Sequence, residues 1–465
     1  MRQARSEHPR QPPDRQMPDA ARAFAIETIA SHVRRFPDLA ISPEGAFDDS
    51  RDGAFSHAIV DGVLRRWFTL EFVIGLGLKQ RFDALEPDLQ AVLLAGAAQL
   101  LLLDRVPDHA ALDESVRYAK ARIRPGAGGL VNAVLRRVAE LKGDRAAAPS
   151  NWADRRDLLL DGSGRVLHLQ RPILPEDFTQ RLSIQTSLPR GLLDRWVTAH
   201  GREVAASMAL KATGPAPTIL NIESDPAGGE RLVTEGRAIR HNEPLAIVWK
   251  ADRLSLRGVL QRERLWVQDP SSADVVRTVA RLVPPGGIRT VLDLCAGQGT
   301  KTRQLARAFP QARIIAADVD RRRLAALREA LPDAARVRVA HVEELGEPDA
   351  ADLVLLDVPC SNSGVLARRV EARYRINAKA VGELQALQRS IVEKGLSLLR
   401  PGGILTYSTC SLEPEENQSQ REWAVTTFGL ELLGETRHLP AGAPGGDPTS
   451  ARDGSYVAVM RSRGG

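Results

Sequence analysis

Cys360 lies in DVPCSNSGV (357–365) and Cys410 in STCSLEPEEN (408–417), 50 positions further along the chain. Each follows an apolar segment that reads as a strand, and each sits in a polar turn of Ser, Asn and Pro, whereas a cysteine that only fills a core belongs in an apolar run. A thiolate is a soft nucleophile and a good leaving group. Its ordinary pKa of about 8.5 falls beside positive charge or helix N-terminal amides. Such a group suits a pyrimidine like cytosine, whose C5 is too weak a nucleophile to take an electrophilic methyl unaided. Addition of sulfur at C6 makes C5 enamine-like, after which a base removes the C5 proton and the sulfur departs. A carboxyl near the N3 and N4 edge would stabilise the charge shift, and Asp357 is the candidate.

A donor would sit in VLDLCAGQGTKT (291–302), a strand that ends in a glycine-bearing turn and opens a helix. Asp318, 19 residues after Gly299, ends the next apolar segment, where a carboxylate can accept both hydroxyls of a ribose. A phosphate-wrapping loop would need glycine directly before Lys301, and Thr300 stands there. A dinucleotide fingerprint would want Gly or Ala at Thr302. What remains is D-x-x-x-G-x-G, a turn seen around S-adenosylmethionine; a glycine turn with a purely structural role stays open. Cys295, inside this turn, reads as a small buried residue.

These turns need elements to carry them. TVLDLC, ARIIAAD, ARVRVAH, ADLVLLDV and GGILTYS predict five strands alternating with helices, an α/β doubly wound sheet in which ligands bind beyond the carboxyl ends of the strands. If the strands before Cys360 and Cys410 are neighbours, about 4.8 Å apart, the two sulfurs face one cleft. Upstream, apolar residues recur at helical spacing from about residue 20 to 142, as in Val60, Val63, Leu89, Val92 and Leu93. In GAGGLVNAVLRRVAEL, Val131, Val134, Leu135 and Val138 share a face opposite Arg136 and Arg137. The expected organisation is a disordered leader over 1–19, a helical bundle over 20–142, a linker with short elements over 143–188, a small α+β module over 189–264 and the α/β domain over 265–463.

With 43% hydrophobic and 26% charged residues in 465, wholesale disorder is excluded. Sixty-four Lys and Arg against 58 Asp and Glu leave +6, which with a pI near 9.4 admits a polyanionic partner. Three scattered cysteines fit neither a disulfide framework nor a zinc site, so no metal and a reducing cytoplasm are expected. The N-terminal stretch has no apolar centre to read as a secretory signal, and the most apolar stretch, 89–103, is too short for a bilayer, so no membrane association is expected.

At DVPCSNSGV, ARRVEARYR, YSTCSLEPEEN and VQDPSSA the chain resembles, in motif order, the cytosine-5 RNA methyltransferases of the Sun/NOL1/NOP2 family. DGVLRRW, QLLLLDRVPDHAALDESVRYAK and GLVNAVLRRV are similar to the NusB-type helical RNA-binding domain that precedes the catalytic part in one branch. The resemblance covers nearly the whole chain. It implies an N-terminal all-helical NusB-like bundle, a small α+β RNA-binding module and a C-terminal Rossmann-like methyltransferase domain. It further implies S-adenosylmethionine as cofactor, small-subunit (16S) ribosomal RNA as partner, 5-methylcytosine as product and a monomeric enzyme. By position, Cys410 would be the nucleophile and Cys360 would help resolve the adduct. Asp357 would help hold cofactor or base. Cys295, Ala296, Gly297, Gln298, Gly299, Thr300 and Lys301, with Asp318, would bind the cofactor, Lys301 orienting the loop or the methionine end.

The family turn A-A-P-G-G-K-T is A-G-Q-G-T-K-T here, and His341 stands where an acidic residue normally contacts the adenine side. ILNIE has Leu220 before Asn221, where the family often has arginine. A second function class therefore stays open, an RNA-binding assembly or antitermination factor with an inert catalytic domain. A nicotinamide-dependent oxidoreductase is disfavoured by Thr302. Candidate phosphate contacts are Arg65, Arg66, Arg136, Arg137, Arg368, Arg369, Arg373 and Arg375, with Tyr374 either stacking or in the core.

Overall fold

The computed structural model describes residues 18–39, 50–331, 336–346 and 350–463, so most of the expected leader lies outside the described residues. The chain divides into two compact units, one built mainly from the residues before 146 and one mainly from those after 173.

Among its described residues the first unit holds the α-helices α1 (Ala20–Val33), α2 (Arg51–Gly75), α3 (Pro87–Leu102), α4 (Asp108–Tyr118) and α5 (Ala127–Glu140). The Asp19 and Ser50 side chains cap α1 and α2 by accepting from Arg22 N (2.9 Å) and Gly53 N (3.0 Å). Every residue of α3 from Leu89 to Leu101 is buried, the mark of a helix apolar all round, and α1, α2, α4 and α5 pack against it. Val131, Val134, Leu135 and Val138 are buried on α5, and Arg136 and Arg137 are exposed on its other side. Arg66 departs from the expectation of a phosphate contact: it is 1% exposed, at a kink in α2. Three short strands follow, β1 (Lys142–Ala147), β2 (Leu158–Leu160) and β3 (Arg165–Leu169), their residues divided between the units.

In the second unit α6 (Phe178–Thr186) and α7 (Arg190–Thr213) follow, the latter bent at Gly201. A small antiparallel sheet comes next. Its strands β4 (Ile219–Asn221), β5 (Ala238–Arg240), β6 (Ala246–Trp249) and β7 (Trp266–Val267) pair in the order β5-β6-β4-β7, with α8 (Pro226–Thr234) and α9 (Arg253–Arg262) between them in sequence. Leu220, Leu232, Ile247 and Leu265 form its core. Leu220 and Asn221 are both buried, and the Asn221 side chain donates to Gln268 Oε1 (2.8 Å).

The remaining residues alternate as α10 (Pro270–Leu282), β8 (Thr290–Asp293), α11 (Thr300–Ala308), β9 (Arg313–Asp318), α12 (Arg321–Ala330), β10 (Val337–His341), β11 (Ala351–Asp357), α13 (Ala378–Ser397), β12 (Leu399–Thr409), α14 (Gln418–Phe428), β13 (Glu431–His438) and β14 (Ser455–Arg461). One seven-stranded sheet runs β10-β9-β8-β11-β12-β14-β13. All five strands expected from sequence are present and parallel, and β14 enters antiparallel to β12 and β13. Along β11, Leu353 and Leu355 pack on one face while Val354 and Leu356 pack on the other, so the strand reads as a continuous apolar run. Strand order reverses between β8 and β11, and the crevice at that switch point is where a ligand binds in such a sheet.

Candidate active site

The turn after β8 is held by its backbone. Ala296 N donates to Ala317 O (2.9 Å) and Gly299 N to Ala296 O (2.8 Å), which requires positive φ at Gly297 (55°) and Gly299 (79°). A Cβ on Gly299 would lie 2.2 Å from a Leu327 methyl of α12, whereas nothing lies within 4 Å of the corresponding point on Gly297. Asp318, buried at the end of β9, accepts from Gly297 N (3.0 Å) and Asp320 N (2.9 Å). Its oxygens keep lone pairs for hydroxyl donors. Val319 beside it is 71% exposed and offers an apolar surface. The His341 ring meets Val319 O (3.0 Å) and caps its own short turn by accepting from Glu343 N (3.3 Å). A glycine turn with open space, a paired carboxylate and an exposed apolar side chain fit the nucleoside part of a methyl donor.

The first turn of α11 explains the departures from nucleotide-loop patterns. The Thr302 hydroxyl donates to Asp293 Oδ2 (2.6 Å), a use no glycine could serve. Asp293 is buried, and its Oδ1 has no hydrogen-bond partner among the described residues. Lys301 Nζ pairs with Asp357 Oδ2 (2.7 Å), while Ser408 Oγ donates to Asp357 Oδ1 (2.7 Å). Burial works against the Lys301 charge, but the Asp357 carboxylate outweighs it, with further help from Cys410 and Asp293, so the ammonium is held above the usual lysine range. Cys295 is pushed the other way for a thiol: burial, then the carboxylates of Asp293, Asp357 and Asp318, raise it far above its ordinary value and keep it neutral. Among the expected cofactor residues Ala296 and Gly299 are buried, Thr300 is half-buried and Gln298 is exposed.

β11 and β12 are adjacent and parallel, with Asp357 beside Ser408 in register. The turns that follow bring Cys360 Sγ to 3.2 Å from Cys410 Sγ, both half-buried. Asn362, in the left-handed region at φ 62°, donates from Nδ2 to Cys360 O (2.9 Å), which orients its Oδ1 to accept from Cys410 Sγ (3.2 Å). The bond to Cys410, then burial, push the Cys360 thiol well up, so Cys360 keeps its proton. Asn362, Ser408 and Asp293 went unassigned from sequence; Asn362 and Ser408 lie in the quoted cysteine motifs, and their signal was position beside the sulfurs.

Two further expectations need correction. Arg373 is fully buried and cannot reach a phosphate. Arg368 is engaged by Asp453, by Asp269 (3.1 Å) and by Pro217 O (3.0 Å). Of the two readings of Tyr374 the core one holds: it is buried, and its hydroxyl meets Ser187 Oγ (3.4 Å). Arg369 and Arg375 are exposed, and Arg65 is half-buried against Asp61 (2.8 Å). A cavity of about 720 Å³ opens elsewhere in this unit, lined by Trp152, Phe178, Arg202 and Pro444; none of the sulfur-bearing residues lines it. Among the described residues no His, Cys, Asp and Glu group is placed to hold a metal, and no helix is long and apolar enough to cross a membrane.

A doubly wound sheet with a nucleoside-type turn after β8 and paired thiols beyond β11 and β12 defines a Rossmann-like methyltransferase domain. Residues 280–431 match the family model described as 16S rRNA methyltransferase RsmB/F, and residues 19–140 match the NusB family. The ribosomal RNA small subunit methyltransferase B of Xanthomonas campestris is 31% identical over 429 residues, 87% of this chain and 85% of the relative. That of Sodalis glossinidius is 31% identical over 464 residues, 94% and 97% of the two chains. The chain belongs to this family of 16S rRNA methyltransferases. The crystal structure of PH0851 shares the fold, with a TM-score of 0.69 at 20% identity over 94% of this chain and 98% of that one.

Proposed function

We propose that the protein uses S-adenosylmethionine to methylate C5 of a cytosine in 16S ribosomal RNA through a covalent adduct on Cys410. The observation that carries this reading is the pair of sulfurs 3.2 Å apart beyond two adjacent parallel strands. The cofactor, held by the 295–301 turn and Asp318, supplies an electrophilic methyl group on sulfur. Cys410 adds to C6 as a thiolate. Cys360, still carrying its proton, stands beside the C6–S bond as it breaks after C5 loses its proton, and can return a proton to the departing sulfur. Asp357, fixed by Lys301 and Ser408, presents a carboxylate to the N3 and N4 edge of a base turned out of its stack. The helical region 20–142 and the module 189–264 would contact the RNA, and the enzyme would act as a cytoplasmic monomer.

Full-length protein, a 16S rRNA transcript and radiolabelled donor test this. Cys410→Ala should form neither 5-methylcytosine nor adduct, and Cys360→Ala should leave protein bound to RNA on a denaturing gel. Methylation by Cys410→Ala would sink the assignment, and an adduct in that variant alone would exchange the two roles.

A further inference from the structure

The turns bearing the two cysteines come from different strands, and beyond the strand ladder they are joined by a backbone bond from Gly364 N to Cys410 O (2.9 Å) and by side chains. One buried carboxylate reaches both turns. Glu416 Oε1 accepts from Ser361 N (2.9 Å), the residue after Cys360, and Oε2 accepts from Ser411 Oγ (2.6 Å), the residue after Cys410. The same Oε1 accepts from Gln388 Nε2 of α13 (2.9 Å), which ties the carboxylate to a helix, and the Glu416 backbone carbonyl accepts from Tyr407 OH of β12 (2.6 Å), which ties the residue to the sheet. Its neighbour Asn417 serves the nucleophile's side: it accepts from Thr409 Oγ1 (2.6 Å) and donates to Ser411 O (2.9 Å), bracketing Cys410. Both residues are fully buried. A carboxylate with donors from both turns holds them to a common point, which is what preorganising two groups for successive steps on one substrate requires.

We propose that Glu416 is the positioning residue that sets the Cys360–Cys410 separation, while Asn417 positions Cys410 alone. Loss of Glu416 then leaves Cys410 able to attack but moves Cys360 away from it, so the release of the adduct suffers more than its formation. Loss of Asn417 suppresses formation. The consequence for release rests on the cysteine roles proposed above; the separation does not, and it has its own readout. Diamide takes two electrons and two protons from a pair of neighbouring thiols, joining them as a disulfide and becoming the hydrazine.

Full-length protein is treated with diamide, and the Cys360–Cys410 bond is followed by peptide mass. Glu416→Ala should form it at least tenfold more slowly than the wild-type chain. Glu416→Gln, whose amide oxygen can still accept from Ser361 N, should come within about threefold of wild type. On RNA, Glu416→Ala should accumulate adduct that turns over at least tenfold more slowly, and Asn417→Ala should form at least tenfold less. Disulfide formation at the wild-type rate in folded Glu416→Ala overturns the proposal. Should that variant not fold by circular dichroism, Glu416→Asp, whose carboxylate is one methylene too short to hold both turns, decides on the same rate: unchanged, it overturns the proposal, and slowed, it supports it. Slowed disulfide formation with no adduct in any variant, Cys360→Ala included, would instead overturn the cysteine roles and leave the Glu416 assignment standing.

Discussion

Asp293 concentrates the electrostatic cost of the site in one side chain. It is buried, has one hydroxyl donor in Thr302 and leaves Oδ1 without a partner. Burial pushes its carboxyl up to about 7; the Thr302 hydroxyl pulls it down and the Asp357 charge adds to the rise. In the unfolded chain the same carboxyl titrates near 3.9. A folded pKa raised in this way favours the native state fully below about 3.9, and that contribution is lost as pH climbs to about 7. The span of roughly three pKa units corresponds to ~4 kcal/mol. Asn keeps the shape and an acceptor for Thr302 without the charge, so Asp293→Asn should match wild type near pH 4 and gain on it steadily up to pH 8. Urea unfolding of both proteins across that range measures the gap. Parallel stability curves would mean that Asp293 stays ionised in the fold at a cost met elsewhere.

At the scale of elements, the close approach of two turns depends on a glycine as well as on the carboxylate. Gly364 N donates to Cys410 O (2.9 Å), and a Cβ there would lie 2.6 Å from that oxygen and 2.9 Å from Gly454 Cα and O, all backbone atoms that cannot swing aside. Gly364→Ala should therefore destabilise by about 1–3 kcal/mol and cut adduct formation on Cys410, both read on one preparation by urea titration and denaturing gel. Wild-type adduct yield would show that the turn has room. The sequence carried much of this arrangement. Five parallel strands were legible because each is a buried apolar run, and the cysteine cleft followed from the rule that ligands sit beyond strand ends. β13 was not legible, because ELLGETRH mixes polar and apolar residues on the edge of the sheet, and β14 followed a stretch dense in Gly and Pro. Neither was the work of Glu416 or Thr302, whose partners depend on a register that only the folded sheet supplies.

For the whole molecule the net charge of +6 says less about RNA than where the arginines lie. Sequence spacing offered eight equivalent candidates; folding separates them. Arg66 is buried, Arg373 is buried with its head on the Ala212 and Leu366 carbonyls, and Arg368 is consumed by Asp269 and Asp453, since a long aliphatic stem packs readily once carbonyls or carboxylates receive its head. Arg136 and Arg137 on α5, with Arg369 and Arg375, remain at the surface. Each phosphate neutralised by protein releases condensed counterions and adds roughly 0.7–0.9 to the slope of log affinity against log salt. Replacing Arg136 and Arg137 together with Glu should thus lower affinity for a 16S rRNA fragment and flatten that slope by about 1–2, with no loss of thermal stability. Arg373→Ala should do the reverse, lowering the unfolding midpoint and leaving the slope of the folded fraction unchanged. Fluorescence anisotropy between about 50 and 200 mM salt separates the two, and an Arg373 variant that unfolds no earlier yet flattens the slope would place that guanidinium on the RNA after all.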